Sequence, residues 1–394
     1  MRDRRASITR LLHDANLSAA VCCRPPNVLA CTGYWPVVGN SLALVTADGG
    51  SALIVPEDEK DLSGSASVDE IFTYEAASLE NLKPVTERIA EPLRKAADRL
   101  GCARARFGHD AGPCVVPATY VGTYDFGVTL PDMLGDTLQA AAVSDVSLQM
   151  ARVRAALTDS ELRMVQAACH AAAAGFTATR AQLESGTTER ETARALSTAI
   201  GAACNEPRAH AFGFCMSGPN SANAYRAYQL PTSRALDKND VALLHTNSVV
   251  GGFWTDISRT YRIGNPPPRV RTVQETVLEA TRAALDAIRP GVSASAVDRA
   301  ARAILEKAGW GKEFRHATGH GVGFAAIDHN AYPRLHPQSN DILEEGMVFN
   351  VEPAAYFPES FGVRQCNMVA VTARGCDLLT PFDNDMDALA IEAA

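Results

Sequence analysis

The stretch that most constrains this chain is Glu345-Gly-Met-Val-Phe-Asn-Val-Glu352-Pro, followed by Phe361-Gly-Val-Arg364-Gln-Cys366-Asn-Met-Val-Ala. Two apolar runs rich in Val, Phe and Met flank the turn-like segment from Tyr356 to Gly362, which reads as two antiparallel strands and a loop. Centring the pairing on Glu359 sets Glu352 opposite Cys366, and such partners lie about 5 Å apart on one face. Arg364 shares that face because strand side chains alternate. A carboxylate, a thiol and a guanidinium therefore point the same way from an apolar hairpin. Burying them is costly unless they are paired, hydrogen-bonded or metal-bound. A Glu–Arg ion pair beside a core cysteine is the plain reading, and a chemical site is the other.

A second hairpin repeats the pattern. Val241-Ala-Leu-Leu-His245-Thr-Asn247 and Phe253-Trp-Thr-Asp256-Ile-Ser-Arg-Thr260 flank Val250-Gly251-Gly252. Centring this pairing between Val250 and Gly251 sets His245 opposite Asp256. Between the hairpins in the chain lies His316-Ala-Thr-Gly-His320-Gly-Val-Gly323. Its glycines allow close approach of another backbone or a ligand. A histidine set among glycines is not the pattern of a core residue, so His320 is a candidate for function.

At 394 residues the chain is too long for one ordinary core, and two domains are expected. Residues 1–150 read as a small α/β domain. Its strand-like runs are Ala19–Cys23, Leu42–Val45 and Ala52–Val55, and a helix is expected across Leu82–Leu100. Residues 151–394 read as an α+β domain. Thr158-Asp-Ser-Glu161 is a helix-capping pattern, with Thr158 or Ser160 as the cap, and Gly186-Thr-Thr-Glu189 opens a second helix. Further helices are expected near Val273–Ile288 and Ser293–Ala308, the last closed by Gly309. Strands are expected at 240–247, 252–262, 346–352 and 363–372. The net charge of −8 argues against nucleic acid as the main partner, because phosphate binding needs a basic footprint. No apolar run approaches the roughly 18–20 residues of a membrane span. The start reads as a short amphipathic helix through Ile8, Leu11 and Leu12 rather than a secretion signal. The ten cysteines are scattered without a CxxC pair, which fits reduced thiols in a cytoplasmic protein.

The order Asp256-Ile-Ser-Arg-Thr, His316-x-x-x-His320-x-x-Gly, Glu345-Gly-Met-Val-Phe-x-x-Glu352-Pro and Gly362-Val-Arg resembles the C-terminal domain of the creatinase/aminopeptidase P/prolidase family. These are the pita-bread enzymes, which include methionine aminopeptidase. The N-terminal part, with Asn27-Val-Leu-Ala-Cys-Thr-Gly33-Tyr, is similar to the smaller N-terminal domain of the aminopeptidase P and creatinase members. The resemblance implies an α/β N-terminal domain joined to an α+β pita-bread catalytic domain, assembled as a homodimer. It also implies that Tyr34 and Trp35 edge a pocket shared between subunits.

In that family an Asp, an Asp, a His, a Glu and a Glu hold two divalent metals. Asp256, His320 and Glu352 match the second Asp, the His and the first Glu, while the first Asp falls on His245 and the last Glu on Cys366. A family histidine that holds the substrate falls on Tyr225, and the histidine that follows the glycine loop falls on His329. Losing two carboxylates weakens the case for two divalent ions, so the expectation is at most one. Asp256, His320, Glu352 and Cys366 make a four-ligand set with His245 beside them, and imidazole and thiolate favour zinc or iron. The implied activity is hydrolysis of a C–N bond (amide, amidine or peptide) in a small molecule or short peptide. The alternatives are a metal-free site as in creatinase, with His320 as base, Glu352 holding the substrate and Arg364 binding a carboxylate. Cys366 as a nucleophile, a lyase, an ordinary Xaa-Pro aminopeptidase or prolidase, and a binding protein that keeps only the shape complete the set.

Overall fold

The computed structural model describes residues 3–37, 40–110, 129–206, 208–226, 230–326 and 331–392. They form two compact units, Met1–Arg154 and Ala155–Ala394.

The first unit runs α1 (Arg4–Asp14), β1 (Ala19–Cys22), α2 (Pro25–Thr32), β2 (Leu42–Thr46), β3 (Ser51–Pro56), α3 (Lys60–Ser63), β4 (Glu70–Tyr74), α4 (Val85–Arg99), β5 (Arg106–His109), α5 (Leu130–Leu138), β6 (Ala142–Asp145) and α6 (Ser147–Ala155). Six strands make one mixed sheet in the order β4-β3-β2-β1-β5-β6. Strands β1, β2 and β3 are buried at every position, and alternation divides their apolar side chains between two cores. Val21, Leu44 and Ile54 pack with Leu93 of α4 and Leu134 of α5. Ala20, Val45, Leu53 and Val55 pack with Ile8 and Leu12 of α1 and with Met150 of α6. Tyr34 and Trp35 are the residues expected to edge a pocket shared between subunits. Both are buried within this unit, and the Tyr34 hydroxyl donates to Glu59 at 2.5 Å.

The second unit runs α7 (Asp159–Arg180), α8 (Glu189–Ala202), β7 (Ala209–Ser217), β8 (Val241–Val250), β9 (Phe253–Ile263), α9 (Pro268–Ala287), α10 (Ala294–Lys307), β10 (Val348–Val351), β11 (Ala354–Phe357), β12 (Phe361–Arg364), β13 (Asn367–Val371), β14 (Cys376–Leu378) and β15 (Ala390–Ile391). Thr158 and Thr188 close full capping boxes with Glu161 and Glu191, which fixes where α7 and α8 begin. The strands form a four-stranded sheet, β15-β9-β8-β7, a three-stranded sheet, β10-β13-β14, and the β11-β12 pair. Val273, Val277 and Ala284 of α9 and Val297, Ala301 and Leu305 of α10 share one core with Phe349, Val351, Val363 and Val369. Helices thus back the strands that carry the polar pocket.

Two register details differ from expectation. The β8–β9 turn is Gly251-Gly252, both with positive φ (56° and 89°). Val250 therefore pairs with Phe253, His245 with Ser258, and Asn247 with Asp256. Two glycines accept the left-handed conformations that a two-residue hairpin turn demands, so the turn sits there. The shift of two residues leaves His245 and Asp256 on one face. In the other hairpin the centre at Glu359 holds, with Ala354 opposite Arg364 and Val351 opposite Asn367. The expected continuous ladder is instead broken between these pairs, at Glu352 and Cys366. Pro353 has no N–H to give, and the Glu352 amide turns away to the Thr318 carbonyl at 2.7 Å.

Candidate functional site

The break in the second ladder is where the first hairpin enters. The Cys366 amide donates to the Ser258 carbonyl (3.1 Å), and the Ser258 amide donates to the Cys366 carbonyl (3.3 Å). This bridge joins β9 to the Cys366 segment and sets Asp256 beside the thiol. Donor atoms of Asp256, Glu352 and Cys366 all lie within 4.8 Å of one another. His320 Nε2 is 3.6 Å from Asp256 Oδ2, and His245 Nδ1 is 3.7 Å from Asp256 Oδ1. The structure therefore gathers His245, Asp256, His320, Glu352, Cys366 and Arg364 from three separate stretches. His329 lies outside the described residues.

The glycine loop is held by its neighbours. The His320 amide donates to the Asn350 side-chain oxygen at 2.7 Å, and the Asn350 amide donates to the His320 carbonyl at 3.1 Å. A Cβ on Gly319 would lie 2.0 Å from the Asn350 carbonyl oxygen, so only glycine permits this approach. From α10, the buried Asp298 carboxylate accepts from the Thr318 amide and hydroxyl and from Arg302. Arg302 in turn donates to the carbonyls of Phe314 and His316.

Arg364 does not pair with Glu352. Its Nε donates to Ser258 Oγ at 2.9 Å, and NH1 donates to the Ala224 carbonyl at 3.3 Å. Ser258 Oγ also lies 3.0 Å from His245 Nδ1. The Ser258 hydroxyl therefore bridges the Arg364 guanidinium and the His245 imidazole. His245 is thereby tied into a guanidinium–hydroxyl–imidazole chain. Its Nδ1 is engaged by Ser258, and His245 is not among the three residues whose donor atoms converge within 4.8 Å.

Charge is divided sharply inside this pocket. Burial pushes Glu352 up to about 7, with Asp256 adding to it. Burial would also raise Asp256, but His245 and His320 hold its carboxyl well below the usual range. Burial acts to lower His320, yet the bond to Asp256 lifts it to about 9. Burial and then Arg364 push His245 down to about 4. The Cys366 thiol is driven well above 9 by burial and by Asp256 and Glu352. It donates to the Asp256 carbonyl at 3.0 Å and faces Oδ1 at 3.5 Å. These shifts favour the protonated forms of His320 and of the Cys366 thiol, so the expected roles of base and nucleophile would have to work against them.

The donor set nonetheless fits a single ion. Two carboxylates and a sulfur converge at ligand spacing, with the His320 imidazole against Asp256, and thiolate ligation would replace the proton that Cys366 now gives to Asp256. A cavity of about 560 Å³ opens on the site and is lined by His316, His320, Glu352, Arg334 and His336 among others. The polar loop after the glycine motif thus rims the pocket through Arg334 and His336, with Arg334 held by Asp341. Tyr225 packs beside it, its ring 5.6 Å from that of Tyr356, whose hydroxyl bonds His316 Nε2 at 3.0 Å.

Ser258, Asn350, Asp298, Arg302 and Tyr356 position this pocket and were not singled out from the sequence. Asp298 and Arg302 carried a signal, an i,i+4 pair on an otherwise apolar helical face. Ser258 carried none, since its role depends on a contact between two hairpins.

The profile described as metallopeptidase family M24 matches residues 163–373, and that of the creatinase/prolidase N-terminal domain matches residues 4–110. An Xaa-Pro dipeptidase of Lactobacillus helveticus is 32% identical over 65% of this chain and 68% of its own length. A putative dipeptidase, YkvY, of Bacillus subtilis (strain 168) is 38% identical over 40% of this chain, and the match spans 42% of that relative. Among solved structures, the prolidase from Pyrococcus horikoshii OT3 superposes with a TM-score of 0.77 at 22% identity, over 96% of this chain and 98% of that one. The dipeptidase PepE from Mycobacterium ulcerans gives a TM-score of 0.74 at 25% identity, over 98% of this chain and 97% of its own.

Proposed function

The chain belongs to metallopeptidase family M24, and from that premise we propose that it hydrolyses the C–N bond of a short peptide at a site built for one divalent ion. The observation that carries this reading is the convergence of Asp256, Glu352 and Cys366 within 4.8 Å, with His320 against Asp256. Asp256, His320, Glu352 and Cys366 would hold the ion, and the sulfur favours zinc or iron. When bound, such an ion supplies Lewis acidity to a carbonyl oxygen and lowers the pKa of a bound water. His245, fixed by Ser258 and Arg364, keeps cationic and neutral groups where a second ion would need carboxylates. Arg364, buried beside the site, carries a permanent positive charge suited to a substrate carboxylate or a developing oxyanion. Tyr225 and His329 are assigned to substrate contacts.

The names of several relatives specify Xaa-Pro dipeptides, which makes these the first substrates to try. Metal analysis of protein purified without added metal, followed by chelation and an assay on a dipeptide panel, tests the reading. The expected result is close to one zinc or iron per chain and activity lost on chelation. Two ions per chain would overturn the single-ion site. Activity untouched by exhaustive chelation favours the metal-free reading. There Glu352, poised near 7, and the imidazolium of His320 carry the proton between water and the leaving nitrogen.

No helix among the described residues is long and apolar enough to cross a membrane. The nine described cysteines are all free thiols, which supports placing the chain in the cytoplasm. A homodimer is proposed by resemblance alone, and light scattering tests it.

A further inference from the structure

We propose that Arg226 and Arg315 form a clamp for a side-chain carboxylate of the substrate, which makes this a hydrolase that prefers acidic peptides. This rests on the peptide-hydrolase reading above. Arg226 follows the 3-10 turn Gly218–Asn223, and Arg315 immediately precedes the glycine loop. Arg226 Nε and Arg315 NH1 both donate to the Tyr225 hydroxyl oxygen, each at 3.3 Å. Their guanidinium carbons stand 5.6 and 5.0 Å from the centre of the Tyr225 ring. Two like charges from separate elements thus converge on one neutral oxygen.

Other arginines in this acidic chain take carboxylates. Arg234 takes Asp240, Arg302 takes Asp298, and Arg334, on the cavity wall itself, takes Asp341. Neither Arg226 nor Arg315 has a carboxylate in ion-pair range among the described residues. Each guanidinium carries five N–H donors, and each spends one on the phenol. A carboxylate seated between them would gain fork-type, charge-assisted bonds that the phenol cannot supply.

The position suits a substrate role. The Tyr225 ring stacks near Tyr356, Tyr356 bonds His316, and His316 lines the cavity with His320 and Glu352. One ring contact and one hydrogen bond thus link the clamp to His316 on the wall of the reaction pocket. In a chain of net charge −8, a local basic pair also offsets the general repulsion of an anionic substrate.

The test uses the metal-loaded full chain and the dipeptides Ala-Ala, Ala-Ala amide, Glu-Ala, Ala-Glu and Lys-Ala. Wild type is expected to favour the peptide with the recognised carboxylate by about five- to tenfold in kcat/KM, chiefly through KM. Gain from Glu supports the clamp, and loss on amidation with no gain from Glu overturns it. In R226Q, R315Q and the double variant that ratio should fall stepwise towards one. Urea midpoints should match wild type, because both side chains are exposed. A double variant that keeps the wild-type ratios overturns the clamp while leaving the hydrolase standing. If no peptide is cleaved, the hydrolase reading fails instead. Calorimetric binding of Glu-Ala against Ala-Ala then decides the clamp, and equal affinity in wild type and double variant rejects it.

Discussion

The two hairpins that build the pocket differ in one respect that decides their roles. β8–β9 is an unbroken ladder of ten pairs closed by two glycines. It delivers His245 and Asp256 by register alone. The second ribbon is interrupted at Glu352 and Cys366, and its two halves belong to different sheets. Backbone groups freed there bind Thr318 and Ser258 instead, and this draws the glycine loop and β9 into one place. A regular ladder can carry reactive side chains, but an interrupted one can also recruit the elements that meet them.

Arg259 holds the regular ribbon to the interrupted one and gives the largest expected effect. It is fully buried and donates to the carbonyls of Ser258, Cys366, Thr380 and Phe382 and to the Asn367 side chain. Arg259→Met should cost about 3–5 kcal/mol in urea denaturation, because five buried acceptors each lose a charge-assisted hydrogen bond. A loss under 1 kcal/mol would mean the two ribbons stay joined without it.

Gly319→Ala attacks the interrupted side. A Cβ 2.0 Å from the Asn350 oxygen forces the backbone apart, and a loss of about 2–3 kcal/mol is expected. The displaced His320 should also cut peptide hydrolysis. An alanine variant with wild-type midpoint and rate would show that the close approach is dispensable.

His316 sharpens the comparison through pH. Burial pushes this ring down to about 4, below the ordinary 6.5, so the fold favours the neutral form. The unfolded chain binds the extra proton between those values, and stability must fall as pH drops from about 6.5 towards 4. His316→Gln should flatten that acid limb by roughly 1–3 kcal/mol. Parallel pH curves for the two proteins would remove His316 as the cause.

Gly251→Ala probes the regular side, where the positive φ leaves about 1 kcal/mol at stake. It should lower the thermal midpoint by a few degrees while metal content stays at the wild-type value. A change in metal content would show that the turn, and not only the register, tunes the site.

Much of this was legible before any coordinates. Thr158 and Thr188 sit at helix starts because capping chemistry is local. The Glu359 turn and the face shared by Glu352, Cys366 and Arg364 follow from strand alternation. The β8–β9 centre was misplaced because Val250-Gly251-Gly252 allows two turns, and only the left-handed tolerance of both glycines selects one. Strand β7 escaped notice: Ala209-His-Ala-Phe-Gly-Phe-Cys lacks a clean alternation, and its register comes from pairing with β8.

The sequence by itself determined which residue types enter the pocket and on which face of each strand they lie, since helix caps, turn glycines and the two-residue period act over a few bonds. Only the tertiary structure decided what those residues are chemically. Burial and the spacing of Asp256, Glu352 and Arg364 push His245 down and the Cys366 thiol up, while Asp256 lifts His320. Those distances arise from contacts between segments a hundred residues apart, such as the bridge from Ser258 to Cys366, which no local pattern encodes.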